Sequence, residues 1–572
     1  MRSASIKKMC NDKAIQVAMM GQIYQMADEV LIWLGEPTHL CPGELGFSLV
    51  HKLCDLTMGD SLYTPVYTDH WIAFAKVMKS PWFTRRWIIQ ELALAKKAFL
   101  HSGPHSLPWD DFADAVAFFI MKYEKIRSIF DYGRTFINSA TMVIDFNSLY
   151  GVENLGPRIL IETMENMFRK DNGQIIEYCM TLESLILALT SFEASDPRDI
   201  FYAVLSLAKS LPESSLDGWA TEDKDLRPDY EKDLTEVCTD FVKYCVHTSE
   251  SLDIICRHWA PDSNKVTGLN NDDRARGITA NQKNWITRRP LASWMPPINH
   301  CSRSVSQHKP NSRTHGDSLV GSPGRKRYNA SAGWPGMFGM SGMIRIFDMF
   351  RTTTESPELF NLRKRAKGAD GFPYHLAPRE IPDGTLRAEG FLVDTLHEVS
   401  QRCFLGIIGA DALRIGRMSD DSTYVPDELW RTMVADRGVD GAYAPRWYRR
   451  ASLRALKSLT HTGDLNTPHL IEQDQNSFLT DFLKRVRDVV WNRRFFRSYD
   501  EGRLGLAPPD AEVGDVVCII YRCSVPVLLR PVEDDQHILI GECYFHGMME
   551  GEAVTQRKQL RLRTEERKFV LR

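Results

Sequence analysis

None of the twelve cysteines belongs to a CxxC pair, and the closest spacings, Cys518 to Cys523 and Cys238 to Cys245, match no zinc site. No secretory apolar stretch is read at the start of the chain, so nothing points to an oxidising compartment. The thiols are therefore expected to be reduced and mostly buried. No apolar run reaches the roughly 20 residues that a membrane-spanning helix needs. An excess of charge of one sign is also missing: the formal net charge is -3, which favours neither a nucleic acid nor a membrane surface as partner. There is no P-loop, no GxGxxG ahead of a helix, no HExxH and no GxSxG. Together these absences lead us to expect a cytoplasmic globular protein with no metal and no bound prosthetic group. With 572 residues, 43% apolar and 25% charged, the chain has material for two to four domains.

What is present reads first as helix followed by strand. In QVAMMGQIYQMA, Val17, Met20, Ile23, Tyr24 and Ala27 fall at helical spacing. EVLIWLG follows, a short apolar run closed by Gly35 and Pro37, and it predicts a strand buried on both faces of a helix-flanked parallel sheet. Residues 44 to 79 look helical, and Trp109 to Ile120 predicts an amphipathic helix after Pro108. Ser195 to Ala208 opens with a helix-start pattern, Asp196 as cap and Pro197 in the first turn. After Pro228-Asp229-Tyr230, an apolar stripe of Leu234, Val237, Cys238, Phe241, Cys245 and Val246 predicts another helix.

Residues 299 to 335 are rich in Ser, Gly, Pro and Asn and carry six Lys/Arg against one acid, Asp317. They read as a flexible basic linker. GRKR at Gly324 to Arg327 and RKRAK at Arg363 to Lys367 are either import signals, anion patches or solvated basic loops. Leu386 to Ser400 predicts a strand, then a turn or short strand. Residues 425 to 500 look largely helical. In Gly514 to Val554, β-rich runs alternate with turn residues, which predicts a small antiparallel β module. The expected division is 1–125, 126–298 (helical), 299–335 (linker), 336–505 (mixed, mainly helical) and 506–572 (β module).

The chemistry concentrates in SPWFTRRWIIQEL, Ser80 to Leu92. Thr84 is placed to cap a helix that begins at Arg85, and Trp87 and Glu91 then share one face. Glu91 is a carboxylate among residues that favour burial, so it needs a partner. Arg85 and Arg86 would lie in a first helical turn, where the macrodipole disfavours cations, which hints at pairing with a carboxylate or phosphate. Two readings stay open: Glu91 in a buried ion pair with an arginine and Trp87 in the core, or Glu91 stabilising positive charge in a cleft. His101 and His105 lack a third ligand at metal spacing. Cys543 and His546 are three apart in a strand and so face opposite sides.

SPWFTRRWIIQE resembles the "RPWFxRxWxxQE" stretch of the fungal heterokaryon-incompatibility (HET) family. QVAMMGQIYQMADEVLIWLG resembles the segment after that family's "CINQ" stretch, SDPRDIFYAVLSLA its "TDPRDKVYALLGLA" helix, and LRPDYEKDLTEVCTDFVKY its "PDYxKxxxxVYxxxxxY" pattern. The carboxyl-terminal run resembles the β module common in these proteins. The resemblance implies a TIR-like, flavodoxin-like α/β remnant, then a largely helical region and a small carboxyl-terminal β module. It implies a cell-death effector in self/non-self recognition, with a protein partner or self-association through the HET domain. TIR domains often carry "SRWCxxEL" and cleave NAD+ with a helix glutamate. RRWIIQEL places Glu91 in that catalytic position, with Trp87, Arg85 and Arg86 as support and NAD+ as substrate. HET domains normally begin with strands resembling "YxALSYxWG" and "LWIDAxCINQ". Neither is present, so an amino-terminally truncated HET domain with an open pocket is expected. In the alternative, the region only binds partners as a non-catalytic scaffold.

Overall fold

The computed structural model describes residues 2–36, 43–136, 156–171, 174–209, 226–261, 290–298, 317–332, 349–354, 380–418, 424–473, 476–559 and 565–572. The RKRAK run and residues 299–316 and 333–335 of the expected linker lie outside them. The chain divides into two compact units, one spanning Met1–Glu231 and the other Lys232–Cys301 with Arg313–Arg572. The division falls inside the stretch expected to be one helical region.

The first unit mixes helices with a small sheet. α1 (Arg2–Met26) leads into β1 (Val30–Trp33). α2 (Gly43–Cys54), α3 (Thr68–Met78) and α4 (Ile88–Ala93) follow, then the hairpin β2 (Ala98–Ser102) and β3 (His105–Pro108), and α5 (Trp109–Met121). β1 runs parallel to β2, and β2 antiparallel to β3. Trp71, Phe74, Phe83, Phe112 and Phe119 form the aromatic centre under α3 and α5, with the Phe83 and Phe112 rings stacked at 5.5 Å. One expectation is corrected here. β1 is not buried on both faces: Val30 and Ile32 point inward, while Leu31 and Trp33 are 66% and 54% exposed. It is an edge strand with a one-sided core, as its alternating burial requires.

A second correction concerns the start of α4. Pro81–Thr84 forms a single 3-10 turn capped by Ser80, whose Oγ accepts from the Trp82 amide. Arg85 is extended, because the backbone pairs with Glu193 on both sides of it: the Arg86 amide donates to the Glu193 carbonyl at 2.7 Å, and the Glu193 amide to Thr84 at 2.6 Å. The helix therefore begins at Ile88. Arg85 and Arg86 do not occupy its first turn, and the macrodipole argument for them falls. Glu91 is the first-turn acid, a favourable place for it.

The second unit opens with α10 (Leu234–Ser249). Its start is fixed by a capping box: Asp233 accepts from the Glu236 amide at 2.9 Å while Glu236 accepts from the Asp233 amide at 2.8 Å. The predicted stripe of this helix is buried throughout. Four helices, Asp427–Met433, Tyr448–Leu456, Thr467–Gln473 and Ser477–Val490, occupy most of 425–490, as expected.

The sheet that follows is larger than the expected module. Its spine is one strand of 20 residues, β7 (Glu380–Val399), where a strand and a separate short piece were expected. Residues 386–390 of β7 pair with β14 (Arg567–Leu571) and residues 390–395 with β10 (Val516–Ile520). β10 pairs with β11 (Val527–Pro531), β11 with β12 (Gln536–Glu542), and β12 with β14, which closes a ring of five strands. Closure satisfies the edges that an open sheet would leave. The far end of β7 pairs with β8 (Arg494–Ser498), which leads to β9 (Leu504–Ala507) and β13 (Tyr544–Phe545). Phe391, Val393, Val517, Ile519, Leu528, Cys543 and Phe545 fill the core.

Residues 317–332, inside the stretch expected to be a flexible linker, are instead bound into this unit. Leu319, Val320 and Tyr328 are buried. The buried carboxylate of Glu542 accepts from the Leu319 amide at 2.8 and 2.9 Å, from the Val320 amide at 3.2 Å and from the Arg493 guanidinium at 2.7 Å. No helix among the described residues is long and apolar enough to cross a membrane. Nine cysteines among the described residues are free thiols, and seven of these nine are buried.

Two substitutions test this packing. Glu542→Ala leaves Arg493 buried without its counter-charge and should cost about 3–5 kcal/mol in urea unfolding. Gly390→Ala places a Cβ 2.1 Å from the Ile519 carbonyl oxygen where β7 crosses β10, and should cost about 1–3 kcal/mol by overpacking. A denaturation midpoint unchanged in either variant would contradict the packing described.

Candidate functional site

Three sequence-distant segments meet at one buried carboxylate, Asp199. The Tyr230 hydroxyl donates to its Oδ1 at 2.5 Å, and the Trp87 indole Nε1 donates to its Oδ2 at 3.3 Å. Lys13 Nζ, on α1, lies 3.6 Å from Oδ2, 3.5 Å from Asp196 and 3.8 Å from the centre of the Tyr230 ring. Asp196 is not the helix cap expected: the helix here runs only over Asp199–Tyr202 and has no side-chain cap. Its carboxylate takes the Arg198 guanidinium in a two-point contact at 3.0 and 2.8 Å and also the Arg198 amide at 3.1 Å. Arg198 donates on to the Tyr230 carbonyl at 2.9 Å, and the Tyr202 hydroxyl donates to the Asp229 carbonyl at 2.9 Å.

Two carboxylates and two cations thus share one desolvated space. Burial, with the neighbouring charge of Asp196, pushes the Asp199 carboxyl up to about 6, against the pull of Lys13, Tyr230 and Trp87. Burial also pushes the Asp196 carboxyl up, but the hydrogen bonds and charge of Arg198, with Lys13, outweigh it and hold the group below its ordinary value. The Tyr230 hydroxyl is raised by burial and by Asp199, so it remains a donor. The arrangement fastens α1, the Trp87 turn and the Asp196–Tyr230 region together and holds one proton site near neutrality.

The four residues singled out in the sequence separate into different roles. Trp87 belongs to the Asp199 cluster. Arg86 is fully buried and donates to the Leu189 carbonyl and, at 2.8 Å, to the Ile200 carbonyl, so it acts as a strut between backbone segments. Arg85 and Glu91 do face each other, Nη2 to Oε1, but at 4.0 Å and with the arginine side chain 58% exposed. Such a contact contributes little. Burial raises the Glu91 carboxyl above the ordinary carboxylate range, with Arg85 working against it. Burial, with Glu91, raises the Tyr24 hydroxyl. No hydrogen bond to the Glu91 carboxylate occurs among the described residues. Its neighbour Gln90 points elsewhere and donates to the Ser206 hydroxyl.

Lys13, Asp196, Asp199 and Tyr230 were not singled out from the sequence as a site. The signal was there in part, since SDPRD and PDY were legible as motifs, but only as helix punctuation. Among the described residues no group of three or more His, Cys, Asp or Glu side chains could hold a metal ion.

An α/β unit with a buried charge cluster and a second unit built on a closed β ring define a two-part protein. Residues 2–91 match the family described as heterokaryon incompatibility protein (HET), and residues 480–565 match the Het-6 beta-barrel domain. The chain thus carries a segment similar to the HET family near its start and one similar to the Het-6 barrel near its end. β7 and β14 complete the ring from outside the matched barrel residues, and Asp199 and Tyr230 lie beyond the matched HET residues. Comparison with curated proteins and with solved structures returned no match.

The proton site predicts a pH dependence. Asp199 is raised in the folded state, so the native chain binds more protons between about pH 4 and 6, and this group's contribution to stability falls as pH rises through about 6. Lys13→Met removes a charge that favours the ionised form. The stability difference between wild type and Lys13→Met should therefore grow from pH 5 to pH 7.5, by about 1 kcal/mol or less because Lys13 is partly exposed. A difference that is flat across this range, followed by urea unfolding, would remove Lys13 from the cluster.

Proposed function

We propose that the chain works in the cytoplasm as a HET-type self/non-self recognition protein that triggers cell death, and that its HET region acts by engaging a protein partner or a second copy. The observation that carries this reading is apolar surface. Ile15, Met19, Ile23 and Met26 recur at helical spacing on α1, each half exposed or more, and Leu31 and Trp33 face outward on the edge strand β1. Exposed apolar surface of this kind marks interaction sites more often than free surface. A sheet edge offers backbone groups to an added strand as well. The motif residue Trp87 supports this reading as part of the Asp199 cluster, which also takes Lys13 of α1.

A second reading is favoured by one specific feature. Glu91 is desolvated, is weakly paired and receives no hydrogen bond among the described residues. A carboxylate so placed suits stabilisation of the oxocarbenium-like ribose formed when nicotinamide leaves NAD+, as in a TIR-like hydrolase. Trp87 and Arg85 would then support Glu91.

Expression toxicity and NAD+ turnover separate the two. On the recognition reading, Met19→Gln with Ile23→Gln abolishes toxicity, Glu91→Gln keeps it, and the purified chain consumes no NAD+ above the buffer control. Measurable turnover that Glu91→Gln lowers about 100-fold or more would replace that reading with the hydrolytic one.

A further inference from the structure

By sequence the GRKR run, Gly324 to Arg327, fits an import signal, an anion patch or a solvated loop. In the second unit it borders a cavity of about 430 Å³. Lys326, Arg327 and Arg437 line it with a single carboxylate, Glu550, and Tyr328, Asn329, Gly441, Ala442 and Tyr443 make up the rest of the wall.

These charges are not equivalent. Arg437 is buried and fully engaged: it donates to the Arg327 carbonyl at 3.0 and 2.8 Å, to the Asp436 carbonyl at 3.1 Å and to Glu550. Glu550 is thereby committed to Arg437. Lys326 has no hydrogen-bond or ion-pair partner among the described residues and is exposed. Arg327 gives one nitrogen, Nη1, to the Ser318 carbonyl at 2.9 Å. Two cations are therefore available at the cavity with no carboxylate left to answer them.

The aromatic wall is braced. The Arg437 guanidinium lies 4.3 Å from the centre of the buried Tyr328 ring and 4.5 Å from that of Tyr443. It therefore fixes one face of Tyr443, a ring that is still 68% exposed. Arg437 and Tyr443 also pair through their backbones, and the loop between them closes with the Gly438 amide on the Ala442 carbonyl at 2.8 Å. Just before Arg437, Ala435 and Asp436 both adopt left-handed backbone at φ 49°, a conformation rare for such residues. The Tyr328 hydroxyl holds the Ala435 carbonyl, and Arg431 pairs with Asp436 at 2.5 Å.

We propose that this cavity binds a mononucleotide, with its phosphate on Lys326 and Arg327 and its base against the open face of Tyr443. Arginine and lysine supply the donors that phosphate recognition uses, and a fixed aromatic face takes any base by stacking. The volume falls in the range of small-molecule sites. The proposal concerns the second unit alone and is independent of the function assigned to Glu91 or α1.

Isothermal titration of the full chain with AMP, GMP, adenosine and inorganic phosphate tests it. Lys326 and Tyr443 are exposed, and an unchanged melting temperature of each variant confirms that the fold is retained. AMP or GMP should bind at least tenfold more tightly than adenosine or phosphate alone. Lys326→Glu should weaken nucleotide binding about tenfold or more, and Tyr443→Ala about fivefold or more with phosphate binding unaltered. Absence of nucleotide binding at about 1 mM would overturn the proposal. So would phosphate or adenosine binding as tightly as AMP, or an affinity indifferent to both substitutions.

Discussion

A carboxylate withdrawn from water must be met by donors, and both units of this protein are organised around that requirement. In the first, Asp199 draws a lysine from α1, an indole from the turn before α4 and a hydroxyl from Tyr230. In the second, Glu542 draws the amides of Leu319 and Val320 and the guanidinium of Arg493. Each joins segments far apart in the chain. Neither ion pair need add much net stability over an apolar equivalent, since desolvation offsets most of the attraction. What they fix is placement, since each buried carboxylate holds donors from segments far apart in the chain.

The same logic explains which parts of the fold were legible in the sequence. α10 was readable because its stripe is local, and its start is fixed by residues three apart, Asp233 and Glu236. The helix from Trp109 was readable for the same reason. The start of α4 was misread because Arg85 is held extended by Glu193, over a hundred residues away. β7 reads as two pieces because its residues answer to four different partners, the strand Phe350–Thr354, β14, β10 and β8, and the turn-like Asp394 and Thr395 sit where the partner changes. Local pattern carries no trace of such pairing.

The basic stretch near residue 320 shows a related failure. Its composition is that of a solvated linker, yet Leu319, Val320 and Tyr328 are buried. Three apolar side chains among many small polar ones are a weak compositional signal. The decisive group is Glu542, which is more than 200 residues later and turns two backbone amides into structural contacts. Burial of Tyr328 in turn places it beneath Arg437, so the packing of this segment and the aromatic wall of the cavity are one construction.

For the candidate site, the motif and the chemistry came apart. SPWFTRRWIIQEL identified the family, and Trp87 does reach a functional-looking carboxylate, but that carboxylate is Asp199 and not Glu91. Arg86 is committed to two backbone carbonyls. Three of the four highlighted side chains therefore point to scaffold or weak pairing, and Glu91 alone keeps the attributes a catalytic carboxylate needs, burial and a raised proton affinity. Those attributes describe a poised group and not a reaction, since Asp199 shares them while being saturated by donors. What distinguishes the two carboxylates, among the described residues, is the unused hydrogen-bonding capacity of Glu91, which meets only the exposed Arg85 at 4.0 Å.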